Sequence, residues 1–237
     1  MGYVPAMDGK RVNFVINLEH RVDRRVEMKR QLSRIGWDAV FFPAIRPTSA
    51  ADFPSVGARG CFLSHLAVLK EAGRLRVRQL VILEDDVNFI TDFSERWPPA
   101  IGALESREWS IFYPGHVIDK QMEGLSLISP SAGVQCAHFM VINDRAIPHL
   151  VEGLETILAR PAGHPLGGPM HVDGAYSTIR AERRTLITYA HFPVLGYQRP
   201  SRTDIGNLKW FDRIGALLPA MNIVRKLKTR YLAKLTK

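Results

Sequence analysis

Cysteine is scarce in this chain, with two in 237 residues, and aromatic residues make up only 9%. Two cysteines cannot build the multi-bridge framework that holds small secreted domains together. Cys61 and Cys136 each sit among apolar neighbours and read as reduced, buried thiols, although the count alone does not exclude one bridge. Long hydrophobic runs are missing too. The longest falls far short of the roughly 18 residues that suggest a membrane span. The N-terminal stretch lacks the basic, long-apolar, small-residue pattern of a secretory leader. There is no internal repeat and no low-complexity tract. These absences lead us to expect a soluble, cytoplasmic protein.

Acidic residues are thin at one end. From Arg199 onward ten basic residues (Arg199, Arg202, Lys209, Arg213, Arg225, Lys226, Lys228, Arg230, Lys234 and Lys237) face only Asp204 and Asp212. The net charge of +9 therefore belongs almost wholly to this tail, and the body is nearly neutral. A nucleic-acid binder would interleave basic and aromatic residues across the folded body, and that pattern is absent. No nucleic-acid partner is expected. A basic tail on a neutral body fits an anionic membrane surface or an anionic acceptor better. Leu217, Met221, Val224, Leu227, Tyr231 and Leu235 recur at helical spacing within it, as in a basic amphipathic helix. Packing of that helix onto the body is the competing reading.

Apolar residues make up 46% of the chain, enough for one large domain plus an appendage. The expected division is residues 1–205 and 206–237. Val12 to Leu18 reads as a first strand, and Asp23 as the cap of a helix carrying Val26, Met28, Leu32 and Ile35. Gly36 stops that helix, and Ala39 to Phe42 makes a second strand. This β-α-β start argues for a parallel sheet with crossover helices. A loop follows from Ala44 to Val56, then a helix from Gly60 to Glu71. Further on come a helix from Asp92 to Leu104, broken or delayed by Pro98-Pro99, and strands at Trp109 to Tyr113 and Ala137 to Ile142. Asn143 caps a helix to about Leu158, Arg160 to Met170 is loop, Val172 to Glu182 is helix, and Leu186 to Ala190 is strand.

The most informative feature is Glu84-Asp85-Asp86, placed directly after Leu80-Val81-Ile82-Leu83. That apolar run reads as a strand buried on both faces. Burying ionised acids without partners costs several kcal/mol or more each, and a hard divalent cation carrying a phosphorylated ligand offsets it. Ligands of open α/β sheets bind outside the carboxyl ends of the strands, where these acids fall. A solvated acidic turn is the plainer alternative for the triplet alone.

Three segments together point further: Val15-Ile16-Asn17-Leu18-Glu19-His20-Arg21-Val22-Asp23-Arg24-Arg25; Gly60-Cys61-Phe62-Leu63-Ser64-His65 with Ile82-Leu83-Glu84-Asp85-Asp86-Val87; and Gln198-Arg199-Pro200-Ser201-Arg202-Thr203-Asp204-Ile205. In this order and spacing the chain, from Val12 to Ile205, resembles the family 25 glycosyltransferases. These include bacterial lipooligosaccharide galactosyltransferases and collagen galactosyltransferase domains. The resemblance implies a GT-A-like α/β domain that binds a nucleotide sugar, with a mostly parallel central sheet flanked by helices. It also implies an acidic motif that holds Mn²⁺ or Mg²⁺ against the diphosphate of a UDP-sugar.

The residues agree with that chemistry. A divalent ion can neutralise the leaving diphosphate as a Lewis acid, and one or two carboxylates suffice to hold it. Asp86 is the first metal ligand expected, with Glu84 beside it or on the ribose, because alternate residues of an extended chain point the same way. Asp85 is left for the sugar or ribose. Asn17 and Arg21 are expected near the nucleotide, with an arginine paired to phosphate, whereas Arg24 and Arg25 read as a solvated basic helix face. Ser64 and His65 stand between a structural role and one near donor or acceptor. Asp173 is either the general base that deprotonates an acceptor hydroxyl or a helix cap. His171 or His191 could complete the metal shell, although structural roles suit both. Gln198, Arg199, Ser201, Arg202 and Asp204 form a loop able to close over the diphosphate.

The expectation is a metal-assisted, inverting transferase moving a hexose, most plausibly galactose, from a UDP-sugar to a saccharide or glycolipid acceptor. Lipopolysaccharide or other cell-surface glycan synthesis is the expected setting, with the tail held at the cytoplasmic face of the inner membrane. One rival is a catalytically silent nucleotide-sugar-binding scaffold. A second is a phosphoacceptor domain, but such domains place the acid pair after the first strand, whereas here it follows the third.

Overall fold

The computed structural model describes residues 11–118 and 122–199. Serine 201, Arg202, Asp204 and the expected amphipathic appendage at 206–237 lie outside the described residues. The chain opens with strand β1 (Arg11–Asn17), helix α1 (Val22–Ile35) and strand β2 (Val40–Pro43). Helix α2 (Val56–Arg74), strand β3 (Gln79–Glu84), strand β4 (Val87–Phe89) and helix α3 (Phe93–Glu105) follow. Then come β5 (Ile111–Val117), β6 (Gly124–Ile128) and β7 (Gln135–Asn143). Helices α4 (Ile147–Ala159) and α5 (Val172–Glu182) and strands β8 (Thr188–Phe192) and β9 (Gly196–Gln198) complete the order.

Seven strands form one sheet in the order β2-β1-β3-β7-β5-β8-β6, and β4 pairs with β9 in a separate ribbon. β1 is parallel to both β2 and β3, and β5 is parallel to β8. β7 and β6 run against their neighbours, so the described sheet is mostly parallel, as expected. In the β1–β3 register Ile16 faces Glu84. Asn17 and the acidic turn therefore leave the sheet side by side, at the carboxyl ends of two central strands.

Alternate residues of the central strands feed two cores. Phe14, Leu80, Ile82, Met140 and Ile142 pack with Phe62, Leu66 and Leu69 of α2, Leu150 and Leu154 of α4 and Tyr176 and Ile179 of α5. Val15, Val81, Leu83, Phe139 and Val141 pack on the opposite side with Met28 and Leu32 of α1 and Phe93, Trp97 and Leu104 of α3. Leu80 through Leu83 are all fully buried, as the unbroken apolar run requires of a strand covered on both faces. Each such side chain contributes roughly 1.5–3 kcal/mol by burial.

Local details depart from the sequence reading. Asp23 does not cap α1. Arg21 holds the cap position, and Asp23 sits in the first turn, bonded to the Arg21 guanidinium at 3.0 Å. Helix α2 begins four residues before Gly60, where the Ser55 hydroxyl accepts the Ala58 N–H at 3.0 Å. Ser64 and His65 thus lie well inside that helix. Helix α3 runs unbroken through Pro98 and Pro99. Both prolines are exposed, while Phe93 and Trp97 stack at 5.4 Å and bury the other face. Packing of that face outweighs the missing backbone donors.

Candidate active site

The acids after β3 are not a solvated turn. Asp85 and Asp86 are each only 5% exposed. The Asn17 amide donates to Asp85 Oδ2 at 2.7 Å, and Arg24 Nη1 reaches Asp85 Oδ1 at 2.8 Å and Asp86 Oδ2 at 3.5 Å. Arg24 was expected on a solvated face. Instead its side chain is 11% exposed and neutralises the acid pair. Arg25 stacks on the Phe41 ring at 4.7 Å. Arg21, expected near the nucleotide, is engaged with Asp23.

β9 closes the same turn from the far end of the described chain. The Gln198 amide donates to Asp86 Oδ2 at 3.2 Å, and the Arg199 backbone N–H donates to the Asp86 carbonyl at 2.7 Å. The Arg199 guanidinium donates to Asn88 Oδ1 at 3.2 Å and to the Asp85 carbonyl at 3.3 Å. Both residues, expected in a loop over the diphosphate, lie against the acidic turn itself. Arg199 braces the turn's backbone and has no charge partner among its two aspartates.

Asp86 remains under-satisfied. Its Oδ1 is buried with no hydrogen-bond partner among the described residues. Burial, and then the Glu84 charge, push its carboxyl up to about 7 despite Arg24. A buried oxygen of an acid crowded by two others is the environment that a divalent cation relieves, so the donor set fits an Mg²⁺- or Mn²⁺-like ion.

Glu84 faces another way. Its Oε1 lies 3.4 Å from His65 Nε2 and 3.6 Å from Cys61 Sγ. Burial alone would raise the Glu84 carboxyl, but His65, and after it His138 and Cys61, hold it below the usual range. Among the described residues, Cys61, His65 and Glu84 are the group of three ligand types whose atoms lie within 4.8 Å of one another. The expected set of Glu84, Asp86 and His171 is not drawn together in that way. His171 is an exposed residue at the start of α5. His191 Nδ1 donates to the Pro193 carbonyl at 2.8 Å.

Two cavities meet at Glu84 and Cys61. One, of about 230 Å³, is walled by Ile16, Leu18, Arg24, Ile45, Pro47, Gly60, Ser64 and Asp85 among others. Gly60 and Ser64 shape this groove. A Cβ on Gly60 would stand 2.7 Å from the Ile45 carbonyl oxygen, so only glycine admits the loop after β2. Ser64 is fully buried. Its hydroxyl accepts the Ile45 N–H at 2.8 Å and donates to the Gly60 carbonyl at 2.6 Å. Ser64 therefore builds the wall and has no free hydroxyl to offer a ligand.

The other cavity, of about 170 Å³, is lined by Cys61, Glu84, Cys136, His138, His171, Asp173 and Gln198. Asp173 is not a simple cap. Its Oδ1 accepts the Gly174 N–H at 2.8 Å, and its Oδ2 accepts the Cys136 N–H at 3.1 Å, tying α5 to the start of β7. Burial, and after it Asp173 and Glu84, raise the Cys136 thiol to about 11. Cys61 and Cys136 are both free thiols, as expected.

Sequence reasoning missed Arg24, His138 and Tyr176. Tyr176 places its hydroxyl 3.2 Å from His65 Nδ1, and both rings are fully buried. The four-residue spacing of Cys61 and His65 was the available signal for a shared helix face.

Comparison with known proteins bears on the α2–β3 segment directly. Residues 52–109 match the family model described as glycosyltransferase family 25 (LPS biosynthesis protein). This segment is the part of the chain that is similar to the family 25 glycosyltransferases. It is 29% identical over 127 residues to a glycosyltransferase 25 family member of Anopheles gambiae, covering 43% of this chain and 21% of that protein. It is also 29% identical over 145 residues to procollagen galactosyltransferase 1-A of Xenopus laevis, covering 52% of this chain and 23% of that protein. The chain thus spans under a quarter of the length of these relatives. A solved glycosyltransferase involved in glycosylating the major capsid of PBCV-1 superposes with TM-score 0.46 at 8% identity, covering 82% of this chain and 94% of that one. The family 25 region contains α2, β3 and the acidic turn, the elements on which both cavities converge.

Proposed function

We propose that this protein is a glycosyltransferase that moves a hexose from a UDP-sugar to a saccharide acceptor with help from a divalent metal. The observation that carries the reading is Asp86 Oδ1, buried and without a partner among the described residues, beside two other acids at the carboxyl end of β3. The family 25 region supports the reaction class, and the relative named as a procollagen galactosyltransferase makes galactose the first donor sugar to test. The family description supports cell-surface glycan synthesis as the setting.

In this reading the apolar groove beside Ile45 and Pro47 takes the nucleoside. Asp85, fixed by Asn17 and Arg24, faces the ribose or sugar. Asp86, on whose carboxyl the Glu84 charge acts more than that of Asp85, would hold Mn²⁺ or Mg²⁺. When bound, that ion would supply positive charge to the leaving diphosphate. Arg24 orients the acid pair before the donor arrives. Asp173, across Glu84 in the second cavity, is placed to take the proton of an acceptor hydroxyl. A single displacement there would invert the anomeric centre. The neutral body and basic tail favour a lipid-linked acceptor at the cytoplasmic face of a membrane.

The experiment is release of UDP from UDP-galactose, with UDP-glucose for comparison, in Mn²⁺ and in excess chelator. Turnover should require the metal and vanish in Asp86→Ala while the fold persists by circular dichroism. Near-native turnover in chelator, or by that variant, would sink the metal-assisted reading. A wild type that binds UDP-sugar tightly but never releases UDP would instead be a silent scaffold.

A further inference from the structure

Cys61 and His65 lie one helical turn apart on α2, so their side chains share a face. Glu84, the last residue of β3, meets both. Its Oε1 is 3.6 Å from Cys61 Sγ and 3.4 Å from His65 Nε2, and all three ligand atoms fall within 4.8 Å of one another. A tetrahedral zinc ion with bonds of about 2.0–2.3 Å holds its ligands roughly 3.3–3.8 Å apart. Two of the three edges already have that length.

The surroundings supply a second, independent feature. His65 Nδ1 lies 3.2 Å from the Tyr176 hydroxyl, and both residues are fully buried. A partner on the far ring nitrogen fixes the tautomer and orientation of a metal-binding histidine. Cys61 and Glu84 also line both cavities, so the side of the cluster away from α2 faces open space. Sulfur and imidazole ligands select zinc over the hard ions that carboxylates alone would hold.

We propose that Cys61, His65 and Glu84 form a zinc site with three protein ligands and a fourth position open to the cavities. On binding, the Cys61 thiol proton leaves to solvent, and the sulfur donates as thiolate. His65 donates the Nε2 lone pair and keeps its proton on Nδ1, facing the Tyr176 oxygen. The site does not depend on glycosyl transfer. It does share Glu84 with the proposed donor-metal site, so zinc and a donor-bound ion compete for one carboxylate.

Cobalt reports the ligand set directly. The metal-free full-length protein titrated with Co²⁺ should develop tetrahedral d–d bands and a thiolate-to-cobalt charge-transfer band, both abolished by stoichiometric Zn²⁺. Cys61→Ser should lose the charge-transfer band, and Cys136→Ser should keep it. Tyr176→Phe should keep the band but weaken zinc binding by roughly 10–100-fold, the usual loss for a missing outer partner. Asp86→Asn should leave the cobalt spectrum unchanged. A wild type with no thiolate band overturns the proposal, and so does a band that survives in Cys61→Ser. A cobalt spectrum lost in Asp86→Asn would place the ion at the other acids and overturn it equally.

Discussion

Arg24 of α1 lies 2.8 Å from Asp85 and 3.5 Å from Asp86, joining the first helix to the acidic turn 61 residues later. Removing one partner from a buried ion pair costs about 3–5 kcal/mol, because the other charge stays buried and uncompensated. Arg24→Met keeps the aliphatic stem and should destabilise the protein by about that much in chelator, measured by urea unfolding. Millimolar Mn²⁺ should restore part of the loss. A destabilisation unaffected by the ion would mean that no cation can take the place of the guanidinium.

Asp173→Asn tests the proton acceptor. The amide oxygen can still accept one of the two N–H groups that the carboxylate holds. A lost general base lowers turnover by roughly 10²–10⁴, with donor KM little changed. Unaltered kcat with a lowered melting temperature would leave Asp173 as a tether between α5 and β7.

Gly60→Ala should act on the groove. The added methyl would stand 2.7 Å from the Ile45 carbonyl and 3.1 Å from Pro47, and overpacking of this kind costs about 1–3 kcal/mol. The loop after β2 must retreat, and donor KM should rise by roughly tenfold or more while kcat changes little. An unchanged KM would show that this wall does not touch the donor.

His116 supplies a pH signature. Burial, more than any neighbour, pushes its imidazole down to about 4 from the ordinary 6.5. In the unfolded chain it takes a proton near 6.5, which the folded chain refuses until about pH 4. Stability should therefore fall as pH drops through that window, by up to about 3 kcal/mol from this group. The slope of unfolding free energy against pH between 4 and 6.5 should be shallower in His116→Gln than in the wild type. Equal slopes would show that His116 does not control this loss.

The sequence made the sheet legible where one residue type ran unbroken. Leu80 to Leu83 read as a strand covered on both faces, and the acids after it marked its carboxyl end. What stayed hidden were contacts set by tertiary register. Nothing local to Arg24 distinguishes it from Arg25, yet one pairs with aspartates and the other lies on a ring, because α1 leans its Arg24 side over the end of β3. Ser64 read as a possible ligand contact because a hydroxyl beside a histidine in a helix has no local signature of its target. Its target is the Ile45 amide, brought there by a glycine whose missing Cβ matters only once the loop is folded back. β4 and β9 escaped notice because strands of three residues carry too little periodicity to declare themselves, and β6 because it opens on a glycine.

The pairing of β4 with β9 brings the last described strand of the chain onto the acidic turn. Asp86 and Gln198 are 112 residues apart in the chain, and the Asp86 carbonyl has the Arg199 amide as its partner. During synthesis the parallel β1–β3 core and its helices can gather while the acids still lack the partners that β9 brings. The turn thus records whether the chain has been carried through residue 199. A nascent chain halted before Gly196 would hold much of the central sheet and none of this closing contact. A ligand that needs the finished turn must wait for this contact.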